Sequence, residues 1–404
     1  MRRWMIALIA AVAAVVFTLL IVPRPLGEVS TPKSSTVFDY QQVASRHVIA
    51  TEQSLAAGRF PCWSRDTTWS TSGSAGWTSG FFPGELWLEY RRTGNPWFMS
   101  RALARERPLA RRHVDAGEQD IGMRYFYSIA KAYDVTRADV DRRVALNAAA
   151  CLAARFVPAV GALRSRPGTT TCPVIIDELM NAQLLFWGAD HGGPASWREM
   201  AHSHALTVVR DFMRADGSTL HVVEYDSATG RVELKTTAQG YSAESTWARG
   251  QAWAIYGLAA AYRETHDAEL LAGARRAADW YIAHLPKDHV PYWDFDAPDI
   301  PGAPRDSSAA AIAASGLLDL AGTVPDASSG ARYDRAARAS LASLSSPAYL
   351  SRGENPAVLL HGTLNRRSPE TVDVGLSFGD YFFLEAEQRM APEAAGLAPG
   401  TRNN

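Results

Sequence analysis

The chain has 404 residues, of which 47% are hydrophobic, with 12 tryptophans and a formal net charge of -1. Such a length exceeds an ordinary single domain and implies either two domains or one large closed architecture around a substantial core. The near-zero charge and the lack of any basic run exclude the electrostatics that nucleic-acid binding requires.

In chain order, Met1, Arg2 and Arg3 precede an apolar run from Trp4 to Val22 that ends at Pro23, Arg24 and Pro25. The run is about as long as a bilayer is thick, and neither a small-x-small cleavage site nor a lipobox cysteine follows it. Residues 1–27 are therefore read as an export signal or membrane anchor, basic end cytoplasmic, and residues 28–37 as a polar tether. The expected location is extracytoplasmic, anchored or secreted, with membrane contact through this N-terminal segment only. Residues 38–390 form the folded body and 391–404 a polar C-terminal tail. Cys62, Cys151 and Cys172 lack metal-ligand spacing; one disulfide and three buried thiols are both open.

The body reads as helical pairs separated by brief turns. Gly84 to Arg92 breaks at Thr93-Gly94-Asn95 and resumes at Pro96; Gly122 to Tyr133 breaks near Thr136 and resumes as Ala138 to Phe156. Glu178 to Ala189, Thr246 to Arg263 and Ser307 to Leu320 open three more pairs, broken at Asp190-His191-Gly192-Gly193, at His266-Asp267 and across Gly322 to Gly330. Trp253, Tyr256 and Ala260 form one helical stripe, and Ile255, Leu258, Ala259 and Tyr262 another, so this helix is apolar on most sides and buried. Its partner carries Leu270, Ala274, Ala277 and Tyr281 on one face only, as an outer helix does. A helix from Phe38 to Ala57 meets the last one, Leu376 to Arg389, to complete a sixth pair. The predicted fold is all-α, an (α/α)6 toroid with apolar helices inside amphipathic ones. A short β-hairpin is expected near the site at Val222 to Tyr225 and Arg231 to Leu234, turning at Asp226 to Gly230.

Unusual residues collect just before the inner helices: Trp77 to Phe82, Asp120, Asp177, Gln239 to Arg249 and Asp306-Ser307-Ser308. Inner helices of a toroid of hairpins run parallel, so these segments converge on one mouth, where exposed N–H groups favour an anion. In QGYSAESTWARGQAW, from Gln239 to Trp253, indole faces suit a pyranose, Arg249 a carboxylate gripped through two hydrogen bonds, and Gln239 or Gln251 its hydroxyls. Arg249 and Trp253, four apart, share a helix face. Asp120 and Asp177 each precede a helix as a capping residue does. As a pair at one mouth, with Asp177 following Val174, Ile175 and Ile176, they also fit a desolvated general acid beside a negative neighbour. His221 stands before a strand and is placed either to donate to substrate or to serve structure. His202 and His204 face different ways on a helix. No zinc, P-loop, dinucleotide or serine-nucleophile motif is present. Acid/base chemistry without metal or cofactor is the expectation, on a small anionic oligosaccharide.

WTSGFFPGELWLEYRRTGN, IIDELMN, DGSTLHVV, QGYSAESTWARGQAWAIYG, YWDFDAP, DSSAAAIAASGLLDL and GDYFFLEAEQR occur in that order, and with them the chain resembles the unsaturated glucuronyl hydrolases from about Phe38 to Arg389. The resemblance implies an (α/α)6 catalytic barrel that removes 4,5-unsaturated glucuronic acid from the non-reducing end of lyase-generated oligosaccharides by hydrating the C4=C5 vinyl ether. It implies Asp177 as acid/base, Asp120 as its assistant, and Trp77, His221, Gln239, Arg249 and Trp253 as substrate-binding residues. The chain departs from the family pattern at Gln119, where relatives have histidine, at Met123, where they have phenylalanine, and at Arg166, where Arg-Ser-Trp becomes Arg164-Ser165-Arg166. These departures bear on the aglycone more than on the reaction. An unsaturated rhamnogalacturonyl hydrolase and an inactive surface barrel that binds anionic glycans are the alternatives.

Overall fold

The computed structural model describes residues 40–112, 114–166 and 171–390. The Trp4 to Val22 segment, the tether and the C-terminal tail lie outside them; among the described residues no helix is long and apolar enough to cross a membrane.

Six inner helices form a closed ring: Phe81–Thr93, a second that runs as Ile121–Tyr125, a π turn Phe126–Ala130 and Lys131–Thr136, then Glu178–Asp190, Ala248–Thr265, Ser307–Thr323 and Ser377–Met390. Each packs on the next, and the sixth returns to the first. Outside them run Tyr40–Ser54, Pro96–Ala110, Asp139–Ala153, Ser196–Asp211, Ala268–His284 and Ala327–Leu344. The division follows from the sequence: the helix Ala248–Thr265 buries both of its stripes, whereas Ala268–His284 buries Leu270, Ala274, Ala277 and Tyr281 and turns Arg275 and Arg276 away from the core. Boundaries are set by local chemistry. Gly94 ends the first inner helix in the left-handed conformation, and Asn95 caps the next helix by accepting from the Trp97 N–H at 3.0 Å, with Pro96 at its first position.

Inside the ring Phe81, Tyr127, Tyr381 and Phe382 meet as an aromatic plug, with Phe81 stacked on Tyr127 at 5.2 Å between centroids and Trp253 against Phe382 at 5.5 Å. Such contacts supply large buried area and a fixed geometry. The fold class and all six helical pairs are as expected.

The hairpin also occurs, as Val222–Asp226 and Val232–Thr236, but it belongs to a three-stranded sheet whose other edge, Thr171–Ile175, was not expected. A second sheet joins Thr68–Ser72, Phe60–Arg65, Val372–Leu376 and Gly362–Thr363. All three cysteines are free thiols, with Cys172 buried, so the disulfide alternative falls.

Candidate active site

The segments preceding the inner helices meet at one end of the ring, around a cavity of ≈ 380 Å³ lined by Trp77, Asp120, Asp177, His221, Gln239 and Arg249. The fifth segment contributes from behind. Asp306 is wholly buried, caps its helix through Oδ1, and pairs through Oδ2 with Arg249 Nη1 at 2.7 Å.

Strand register places Asp177 and His221 side by side. Ile175 pairs with Val222 and the Ile176 N–H donates to the His221 carbonyl at 3.0 Å, so Asp177 and His221 leave the sheet together. Neither Asp120 nor Asp177 uses its side chain to cap its helix. This removes the structural reading of both. Asp120 stands in the left-handed conformation at φ 54°, where a non-glycine residue is strained, a condition concentrated at functional sites.

Burial and the charge of Asp120 push the Asp177 carboxyl up to about 7, against the opposing pull of Arg249. The indole N–H of Trp253 faces this carboxyl closely enough to favour its charged form, but too loosely to hydrogen-bond: Nε1 and Asp177 Oδ2 both remain unpartnered. His221 also faces this carboxyl, with its Nε2 3.7 Å from Oδ2. Backbone N–H groups of Ala238 and Gln239 both donate to His221 Nδ1 at 3.3 Å, so the proton of the ring sits on Nε2. Burial, Arg249 and Arg367 push this imidazole down to about 3 and keep it neutral. Asp120 is likewise raised by burial, opposed by Asn181, Arg155 and Arg124.

Arg249 departs from expectation. It is 2% exposed, and all four Nη hydrogens are committed: Nη1 to Asp306 and the Thr363 carbonyl, Nη2 to Gln239 Oε1 and the Leu364 carbonyl, at 2.6–2.8 Å. A two-pronged grip on a substrate carboxylate is therefore unavailable. Arg249 instead holds Gln239 and the segment from Thr363, so that Leu364, Asn365, Ser368 and Thr371 complete the cavity wall. Trp253 is also placed differently. It shares a helix with Arg249 but lies one turn deeper, in the aromatic plug behind Asp177, and does not line the cavity. Trp247 is covered by His221, stacked at 4.4 Å, and by the guanidinium of Arg249 at 4.5 Å. Gln251 is fully buried, accepting from Thr219 and donating to the carbonyls of Gly217 and Ala277. Of the indoles, Trp77 is the one on the cavity wall.

Sequence reasoning missed Glu178 and Asn181, although Asn181 lies four residues after Asp177 on the same face. It also missed the wall from Leu364 to Thr371, for which no motif gives a signal. The three departures Gln119, Met123 and Arg166 all line the cavity.

No family model matches the chain. An unsaturated glucuronyl hydrolase of Formosa agariphila is 37% identical over 327 residues, 78% of this chain and 80% of that protein. The crystal structure of an unsaturated glucuronyl hydrolase specific for heparin superimposes with a TM-score of 0.82 at 34% identity, covering 87% of this chain and 95% of that one. An Asp-to-Asn mutant of the Streptococcus agalactiae unsaturated glucuronyl hydrolase, solved in complex with dGlcA-GalNAc6S, gives a TM-score of 0.74 at 28% identity over 91% and 97% of the two chains.

Proposed function

The chain belongs to the unsaturated glucuronyl hydrolase family, and we propose that Asp177 and Asp120 carry out in it the hydration of a 4,5-unsaturated uronic acid at the non-reducing end of an anionic oligosaccharide. The observation that carries this reading is the buried Asp177 carboxyl on the cavity wall, raised to about 7 beside Asp120, with Oδ2 free of any hydrogen bond. A positioned acid near neutrality suits proton transfer to carbon.

The substrate is a vinyl ether conjugated with its own carboxylate. Asp177 gives its proton to C4, and positive charge develops at C5 and the ring oxygen beside the Asp120 carboxylate. The Asp177 carboxylate then accepts a proton from the water that adds to C5. The resulting hemiketal opens to a ketone at C5 and a hemiacetal at C1, and the hemiacetal collapses to an aldehyde, breaking the bond from C1 to the aglycone, which leaves as an alcohol. No displacement occurs at C1, so the carboxylate-separation rule for retaining and inverting enzymes does not apply. The neutral His221 offers its Nε2–H to substrate or to the Asp177 carboxylate, Trp77 offers an aromatic face to the sugar, and Gln239, fixed by Arg249, reads its hydroxyls. With the Nη groups of Arg249 committed, the substrate carboxylate is left to the N-terminal ends of the inner helices. The names of the relatives favour a glucuronyl over a rhamnogalacturonyl unit, and the retained carboxyl pair argues against an inactive binding barrel.

A panel of lyase-generated disaccharides tests the reading through loss of the conjugated enoate's ultraviolet absorbance. In heavy water deuterium should appear at C4 of the released sugar, and Asp177→Asn should lower kcat by roughly two to four orders of magnitude, the range for losing a positioned acid. Because Asp177 must be protonated to act, activity should fall as pH rises through about 7. Full activity in the asparagine variant, or no deuterium at C4, overturns the assignment.

A further inference from the structure

Behind the two aspartates lies a buried polar chain that the reaction does not touch. Glu178, the residue after Asp177, is 1% exposed and does not line the cavity. Its Oε1 faces Arg155 Nη2 at 3.5 Å, and its Oε2 accepts from Asn181 Nδ2 at 3.0 Å. The other hydrogen of the same amide points to Asp120 Oδ1 at 3.4 Å. Asn181 cannot turn round, because its Oδ1 accepts the Met123 N–H at 2.9 Å. Arg155 is equally fixed, donating Nη1 to the Glu118 carbonyl at 2.7 Å and Nη2 to that of Ser165. The sequence Arg155, Glu178, Asn181, Asp120 thus ties a rigid cation to the strained residue at the cavity floor.

We propose that Glu178 is a positioning residue for the hydration: with Arg155 it locks Asn181, through Asn181 it locks the Asp120 carboxylate, and its own negative charge helps to keep the proton on Asp177. The proposal rests on the assignment of Asp177 as the acid. The charged groups around Asp177 are Asp120 and Arg124 from the second inner helix, Glu178 from its own, Arg155 from the preceding outer helix, and Arg249 with Asp306 from the fourth and fifth. His221, neutral, with Arg367 beyond it, and Arg166 on the cavity wall complete the set. Arg124 is matched by Glu118 at 2.7 Å and Arg249 by Asp306 at 2.7 Å. The balance at Asp177 is set first by burial and Asp120 against Arg249, and Glu178, which itself feels Arg155, Asp120 and Asp177, adds to it from the next residue. Glu178 is held partly protonated by its own burial, its carboxyl raised to about 7, so its charge grows over the same pH range in which Asp177 loses its proton.

Glu178→Gln keeps the shape and an acceptor for Asn181 but removes the charge. It should lower kcat several-fold with little change in KM, and move the limb on which activity falls with rising pH downward by roughly half a unit to one unit, as loss of one nearby like charge does. Arg155→Gln removes the cation and should move the same limb upward. Opposite displacements are not what two merely structural lesions would produce. A folded Glu178→Gln enzyme whose limb coincides with wild type overturns the proposal. If that variant fails to fold, an unmoved or lowered limb in Arg155→Gln does so. Activity surviving Asp177→Asn would instead sink the acid assignment, so the two failures are distinguishable.

Discussion

Arg249 is a buried cation whose worth lies in what it holds. Its four Nη hydrogen bonds join the fourth inner helix, the cap of the fifth, Gln239 and the segment that begins at Thr363. Lysine keeps the charge but has three donors on one nitrogen in place of the arginine fork, so Arg249→Lys leaves at least one of the four buried acceptors unmet beside a wholly buried Asp306. The loss should be about 2–4 kcal/mol of folding stability, from charge-assisted bonds of roughly 1.5–3 kcal/mol each, together with a large fall in kcat/KM. Thermal melting and kinetics on the same sample check this. An unchanged melting temperature with only KM raised would return Arg249 to the role of a ligand clamp. The sequence could not make this distinction. Arginine beside tryptophan at the start of a helix points to a carboxylate, and whether that carboxylate is a substrate's or Asp306 depends on a partner 57 residues away. Asp120, Asp177, Trp77 and Gln239 could be placed together from the sequence because the parallel inner helices oblige whatever precedes them to share a mouth, whereas His221 precedes a strand and reaches the same mouth through the sheet. Trp253 lies away from the cavity because spacing of four fixes a shared face without saying whether that face looks to the mouth or into the barrel, and of the two amides offered for the hydroxyls Gln239 lines the cavity while Gln251 is buried.

At the scale of elements, helical periodicity carried the reading and short strands escaped it. Thr68–Ser72 has no buried residue and Gly362–Thr363 is two residues long, so neither shows an alternating pattern. The π turn Phe126–Ala130 also left no trace, since every residue of it and of Ile121–Tyr125 before it is buried and no period is visible. Close approach of the second and third inner helices depends on Gly122. A Cβ there would lie 2.3 Å from the Cα and the carbonyl oxygen of Asn181. Gly122→Ala should force the helices apart, at a cost of about 1–3 kcal/mol for overpacking, and should lower kcat by displacing Asn181 from Asp120. Gly322→Ala is the matched control. Nothing lies within 4 Å of its Cβ, and alanine in a helix should be neutral or stabilising by up to about 1 kcal/mol. Equal effects of the two substitutions on melting and kcat would remove the helix contact as the cause.

The whole molecule is polarised. Helix N-termini and the acidic pair share one end; at the other a second cavity of ≈ 610 Å³ lies among helix C-termini, where Arg91, Arg137 and Arg263 offset the negative dipole ends. Between the ends, the buried interior stores protons. Burial pushes Glu106 up to about 8, and likewise raises Glu387 and Glu178 to about 7, as it does Asp177; it also raises Asp380, which faces Glu85. A carboxyl raised on folding contributes stability that is complete below its unfolded pKa of about 4 and is lost as pH rises through the folded value. Buried His204 and His221, both lowered to about 3, act in the opposite sense, but only below the unfolded histidine value of about 6.5. Between pH 6.5 and about 8 the carboxyls act in one sense, joined by His361, which its hydrogen bond to Asp373 raises above the ordinary histidine value, so the melting temperature should fall steadily across that window. Glu106 accepts from Trp87 Nε1 at 2.8 Å and lies away from the cavity, so Glu106→Gln should flatten the fall in melting temperature while leaving the alkaline limb of activity in place. A melting temperature that rises from pH 6.5 to 8, or a Glu106→Gln profile as steep as wild type, would show that these carboxyls are ionised in the folded protein.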